Sequence, residues 1–157
     1  ICDFIQFQGN MRGPGMTETD KQDLARLRVL VAEDDRDIAQ VIVFVLKNMG
    51  IENIILAIDG DQAAEHFKDN MAPVDLVICD WMMPGKTGLV VLKHVRNKFP
   101  DLPFLMLTAK GSAENVKAAM ESGVSAYVVK PFVPEDLQKK VKKLVSDHRR
   151  DQGYLQV

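Results

Sequence analysis

Leu76-Val77-Ile78-Cys79-Asp80 is an apolar run that ends on a single acid, and Trp81-Met82-Met83-Pro84-Gly85 breaks it. A run of this length between turn residues predicts a strand buried on both faces of a parallel sheet. Its last residue then stands at the carboxyl edge of the sheet, where open α/β folds bind ligands. A carboxylate there is either strongly solvated or part of a reacting centre.

Four further runs read the same way. Arg28-Val29-Leu30-Val31-Ala32 leads into the acid triplet Glu33-Asp34-Asp35. Asn53-Ile54-Ile55-Leu56-Ala57 precedes the turn Asp59-Gly60. Phe104-Leu105-Met106-Leu107-Thr108 ends on a hydroxyl, and Ala126-Tyr127-Val128-Val129-Lys130 ends on a cation before Pro131. Segments of helical period lie between and after these runs. The first opens at Asp37-Ile38 and runs to Met49, where Gly50 stops it; Ile38, Val41, Ile42, Val45 and Met49 form its core stripe. The second runs from Asp61 to about Asn70 and turns Ala64 and Phe67 inward. The third spans Gly88 to Asn97, with Leu89, Leu92 and Val95 inward. The fourth is capped by Ser112 and ends at Ser122-Gly123. The last runs from Glu135 to about Arg149, with Leu137, Val141, Leu144 and Val145 inward. Its outer lysines, Lys139, Lys140, Lys142 and Lys143, read as a solvated face. Five strand–helix alternations predict an α/β fold of the doubly wound, flavodoxin-like kind. The expected sheet is parallel and five-stranded, of order 2-1-3-4-5, with helices on both faces.

Size and composition fit one domain. The chain has 157 residues, of which 46% are hydrophobic and 27% charged, so there is core enough for a single globular unit. A net charge of −2 gives no reason to expect direct nucleic-acid binding. Cys2 and Cys79 suggest no disulfide framework, and no run is long and apolar enough to cross a bilayer. A cytoplasmic setting is therefore expected. Asn10-Met11-Arg12-Gly13-Pro14-Gly15-Met16 resembles an appended linker, so residues 1–26 are expected outside the fold, as an added leader or a disordered segment, with the natural start expected at Met16. The domain is expected over residues 27–148, with a short tail at 149–157.

All five strands should end on one edge. That gathers Asp34, Asp35, Asp80, Thr108 and Lys130, which are far apart in sequence. Clustered carboxylates repel and need a counter-charge. Oxygen ligands without His or Cys suit Mg²⁺ rather than Zn²⁺. A carboxylate can attack phosphorus and form an acyl phosphate. Lys130 would neutralise a phosphoryl oxygen and Thr108 would donate a hydrogen bond to another.

Asp34-Asp35, Asp80, Thr108-Ala109 and Lys130-Pro131-Phe132 resemble the receiver domain of bacterial two-component response regulators. The likeness covers about residues 27–145 and is greatest to the stand-alone chemotaxis type, in Asp80-Trp81-x-Met83-Pro84 and Tyr127-Val128-Val129-Lys130-Pro131-Phe132. The resemblance implies Asp80 as phospho-acceptor and Asp35 as direct Mg²⁺ ligand. Asp34 would act largely through water, with the carbonyl of Met82 as a further ligand. It implies Thr108 as switch hydroxyl, Tyr127 as the aromatic that turns inward, and a cis bond before Pro131. It also implies a histidine kinase or histidine phosphotransfer protein as phosphodonor. Output would pass through the surface of the fourth helix, fifth strand and fifth helix of the sequence-predicted set. Such a domain assists its own phosphorylation and dephosphorylation and turns over no external substrate. Val43 and Phe44, off the core stripe of the first helix, are candidates for docking the donor.

Two positions depart from the family. Lys86-Thr87-Gly88 stands where an acid usually precedes the glycine, which bears on donor preference. Met82 is apolar at a position that influences the rate of hydrolysis, which suggests a long-lived phospho-form.

Each residue also has a plainer reading. Acid pairs such as Asp34-Asp35 often only solubilise a loop or cap a helix. Thr108 and Lys130, taken singly, read as a strand-end hydroxyl and a surface cation, and Tyr127 as half-buried packing. His66, His94 and His148 lack ligand spacing and are expected at the surface. The stretch Asp80–Thr87 approaches a nucleotide-binding P-loop. However, Pro84 offers no amide hydrogen and Asp80 would repel the phosphates. A flavodoxin-like cofactor carrier shares the topology, but three acids would exclude a flavin phosphate that brings no cation.

Overall fold

A computed structural model describes residues 17–68, 74–109 and 113–151, with side chains up to 149. The elements in chain order are α1 (Glu18–Arg26), β1 (Arg28–Ala32), α2 (Arg36–Asn48), β2 (Asn53–Ala57), α3 (Gly60–Glu65), β3 (Leu76–Asp80), α4 (Gly88–Lys98), β4 (Phe104–Ala109), α5 (Ala113–Glu121), β5 (Ala126–Lys130) and α6 (Pro134–Asp151). The strands form one parallel sheet of order β2-β1-β3-β4-β5, as the alternation predicts.

β3 lies at the centre of the sheet, and all five of its residues are buried. That is why the run carries no polar alternation: both of its faces meet helices. Successive side chains feed two cores. Val29, Val31, Leu76, Ile78, Leu105, Leu107 and Val128 face the layer of α1, α2 and α6. Leu30, Ala32, Val77, Cys79, Phe104 and Met106 face the layer of α3, α4 and α5. Of the expected stripe, Ile42 and Val45 of α2 and Met49 at its C-cap are buried and Ile38 packs against them partly buried, whereas Val41 is half-buried outside the core and Leu46 takes a place in it. Lys139, Lys140, Lys142 and Lys143 of α6 are exposed.

Three features differ from the sequence expectation. Residues 18–26 belong to the fold. Thr17 and Asp20 form a capping box that starts α1, Leu24 is buried in the core, and Asn53 Nδ2 donates to the Ala25 carbonyl at 2.8 Å. The helical numbering therefore shifts, and the expected fourth and fifth helices are α5 and α6. Second, α3 ends at Glu65 rather than near residue 70. Phe67 N and Lys68 N bond back three residues, a tightened last turn, and Lys98 Nζ takes the Phe67 and Lys68 carbonyls at 2.6 Å each. Third, His66 and His94 are partly buried, each with Nε2 unbonded among the described residues; His66 packs edge-on against Phe67. Ser112, the expected cap of α5, lies outside the described residues.

Since Leu24 anchors α1 to the core, Leu24→Ala should cost about 2 kcal/mol, the low end for a buried leucine. Chemical denaturation checks this; a loss below about 0.5 kcal/mol, as for an ordinary surface site, would show that α1 is not part of the cooperative unit.

Candidate functional site

The two-residue period of the strands builds the site. Glu33, Asp80 and Lys130 each stand two residues past a core residue of the α2/α6 layer, namely Val31, Ile78 and Val128. They therefore emerge on the same face of the sheet at its carboxyl edge. Glu33 N still donates to the Ala57 carbonyl at 3.0 Å, so the chain remains strand-like at that point.

Lys130 bridges the other two. Its Nζ lies 2.8 Å from Glu33 Oε2 and 3.1 Å from Asp80 Oδ2. The Glu33 and Asp80 side chains are 1% and 8% exposed, so water does little to screen them. Asp34 is exposed, yet one oxygen each of Glu33, Asp34 and Asp80 lie within 4.8 Å of one another. Two of the three clustered carboxylates thus share one ammonium. Burial pushes Glu33 up to about 6. The Lys130 bond and the Asp35 amide oppose this, and the Asp80 charge adds to it. Burial acts to lower the Lys130 ammonium, but its bonds to Glu33 and Asp80 outweigh that and raise it. Burial, then the charges of Asp80 and Glu33, push the Cys79 thiol up, which leaves it an inert small apolar residue.

Asp35 does not join the cluster. It is the N-cap of α2, and its Oδ1 accepts from Asp37 N at 2.9 Å and Ile38 N at 3.2 Å. Its own amide donates to Glu33 Oε1 at 3.1 Å. The acids that cluster with Asp80 are therefore Glu33 and Asp34, not the expected pair Asp34 and Asp35. The plain reading of an acid pair, a helix cap, holds for its second member. Glu33 was legible from strand parity, since it continues the Val29-Val31 series. All donors in the cluster are carboxylate oxygens, which fits a hard divalent cation.

Thr108 is 1% exposed at the end of β4, and its Oγ1 makes no hydrogen bond among the described residues. Its strand runs beside β3, where Leu107 pairs with Asp80. Tyr127 is half-buried, opposite Met106 in the ladder, with Lys140 Nζ 5.8 Å from its ring centre. Met82 stands in the loop after Asp80 and is 65% exposed. Val43 is half-buried and Phe44 is 52% exposed on α2. The Lys130–Pro131 bond is cis. A Cβ on Gly88 would lie 2.3 Å from the Asp80 carbonyl oxygen, so only glycine lets α4 start against the end of β3. Lys86 and Thr87, which lend the loop its P-loop look, are engaged locally: Lys86 pairs with Asp61, and Thr87 caps α4.

The family model of the response regulator receiver domain matches residues 29–142. The chain belongs to that family. It is 35% identical over 117 residues to the chemotaxis protein CheY1 of Helicobacter pylori, covering 73% of this chain and 94% of that protein. Identity to the phosphate regulon transcriptional regulatory protein PhoB of Escherichia coli is also 35% over 117 residues, but the match spans only 50% of PhoB. The chain thus corresponds to about half the length of such relatives. Among solved structures, the Francisella response regulator 1452 receiver domain superposes with a TM-score of 0.69 at 35% identity, over 77% of this chain and 98% of that one. A receiver domain of two-component systems is therefore the unit described by this fold and edge. Among the described residues, no helix is long and apolar enough to cross a membrane.

The electrostatics of this receiver domain give a pH signature. The ordinary Glu33 value is 4.5 and the folded value is raised to about 6. Between these, the folded state holds a proton that the unfolded state has released, so stability falls as pH rises through that window. Denaturation of metal-free protein should show this fall in the wild type relative to Glu33→Gln. Parallel pH profiles for the two proteins would contradict it.

Proposed function

We propose that the domain is a phosphorylation switch in which Asp80 accepts a phosphoryl group from the phosphohistidine of a histidine kinase or histidine phosphotransfer protein. The observation that carries this reading is a buried carboxylate bonded to Lys130 while two further carboxylates converge on it. One Asp80 oxygen forms the new O–P bond as the donor's N–P bond breaks, and that electron pair leaves with the imidazole nitrogen. Lys130, already placed on Asp80, is positioned to neutralise a phosphoryl oxygen. The unbonded Thr108 hydroxyl is suited to donate to another. Glu33, Asp34, Asp80 and the carbonyl of Met82 would hold Mg²⁺. When bound, the ion offsets the negative charge that acceptor and phosphoryl group bring together.

Contacts that only the phosphorylated state makes would shift the population between two conformations. Thr108 on β4 and Tyr127 on the neighbouring β5 would pass that change to the surface of α5, β5 and α6, where a downstream protein binds. Support comes from the half-burial of Tyr127 and its contact with Lys140 of α6. Val43 and Phe44, on the helix that starts beside the site, would dock the donor. The domain would act in the cytoplasm, assisting its own modification without turning over an external substrate.

Incubation with Mg²⁺ and acetyl phosphate, followed by intact mass measurement, tests this directly. The wild type should gain one phosphoryl group and Asp80→Asn none. Equal labelling of both proteins would place the acceptor elsewhere.

A further inference from the structure

The loop that follows Asp80 is tied down twice. At its far end, Gly88 N donates to the Trp81 carbonyl at 2.9 Å. At its outer turn, the loop lies on the start of α3, where Gly60 N donates to the Pro84 carbonyl at 3.3 Å. The fit there is close. A Cβ on Gly60 would lie 1.7 Å from the Lys86 carbonyl oxygen, so the two backbones meet only because that side chain is absent. Gly85 adopts φ +75°, and Asp61 Oδ2 fills the space that a Cβ there would need. This packing sets Lys86 Nζ on Asp61 Oδ1.

The two side chains are 41% and 56% exposed, so the pair adds little to global stability. Its effect is local. It closes a contact between the loop that carries Met82 and a separate helix, 25 positions away in sequence. Pro84 and Gly85 fix the backbone on one side of the contact, and Gly60 fixes it on the other.

We infer that the Asp61–Lys86 pair is a positioning latch for the phosphorylation site, holding the 81–87 loop in the arrangement that lets the Met82 carbonyl serve the bound cation. This rests on the proposed Mg²⁺ site and deepens it. A loop free to turn that carbonyl away is competent only part of the time, and apparent cation affinity falls by that fraction. Asp61 and Lys86 act through the loop and touch neither cation nor phosphoryl group.

The latch and simple charge effects give different patterns. On charge alone, Lys86→Ala would strengthen binding of a cation and Asp61→Ala would weaken it. The latch requires both to weaken it. The test is Mg²⁺ titration of the full chain, followed by calorimetry and by the fluorescence of Trp81, the only tryptophan, next to Asp80. Each single variant should bind about two- to fivefold more weakly, the range an exposed ion pair supports. The double variant should be no weaker than Asp61→Ala, the single variant in which charge and latch act in the same direction, and Lys86→Arg should stay near wild type. Metal-free melting temperatures should agree across the set. Lys86→Ala binding as tightly as wild type or tighter, or single effects that multiply in the double variant, would overturn the latch. A wild type that responds to Mg²⁺ without such coupling removes the latch alone. A wild type that does not bind Mg²⁺ removes the metal site with it.

Discussion

A cluster of three carboxylates at the carboxyl edge of the sheet has one ammonium, bonded to two of them, and the molecule is organised around that imbalance. Lys130 holds Glu33 and Asp80 together at 2.8 and 3.1 Å, with Asp34 alongside. Two of the acids are almost removed from water, where an uncompensated charge is costly. The arrangement stands because three strands place those residues with a parity that cannot slip. Moving any one strand by a single residue would send its side chain to the opposite face. Continuous burial of β3 between two helical layers fixes its register, and Gly88 lets α4 begin against its last residue. The surplus negative charge is the part left unresolved, which a proton on Glu33 or an added cation can relieve.

The buried hydroxyl of Thr108 is a second unresolved group. A buried polar atom without a partner costs about 1–3 kcal/mol, and an incoming acceptor removes that cost. In the proposed reading, a phosphoryl group satisfies Thr108 and Lys130 together. The energetic bias toward the second state then comes from contacts that the first state lacks, as a two-state shift requires. The adjoining ladder from β4 to β5 sets Met106 against Tyr127 and Thr108 against Val129, so the site and the outer edge of the sheet are one strand apart.

Much of this was legible in the sequence because strands buried on both faces read as unbroken apolar runs. The bounds of β1, β2, β3 and β5 coincide with those runs, and the residues closing them gave Asp80, Thr108 and Lys130. The acid triplet was harder. Adjacency singled out Asp34-Asp35, whereas strand parity decides the matter: Glu33 extends the Val29-Val31 series, and Asp35 turns away to cap α2. The capping box of α1 was also present in Thr17-x-x-Asp20. A helix of nine residues with one buried leucine gives too little apolar period to stand out beside a glycine- and proline-containing stretch. The contact of Asp61 with Lys86 had no local signal, because it joins two turns through backbone approaches that only the fold creates.

The shared-cation claim is tested most directly by anomalous diffraction from crystals of the protein soaked in Mn²⁺, a visible substitute for Mg²⁺. The account predicts one peak at coordination distance from Asp34 and Asp80, with Asp35 still bonded to the amides of Asp37 and Ile38. A peak on Asp35, or a site that leaves out Asp80, would contradict it.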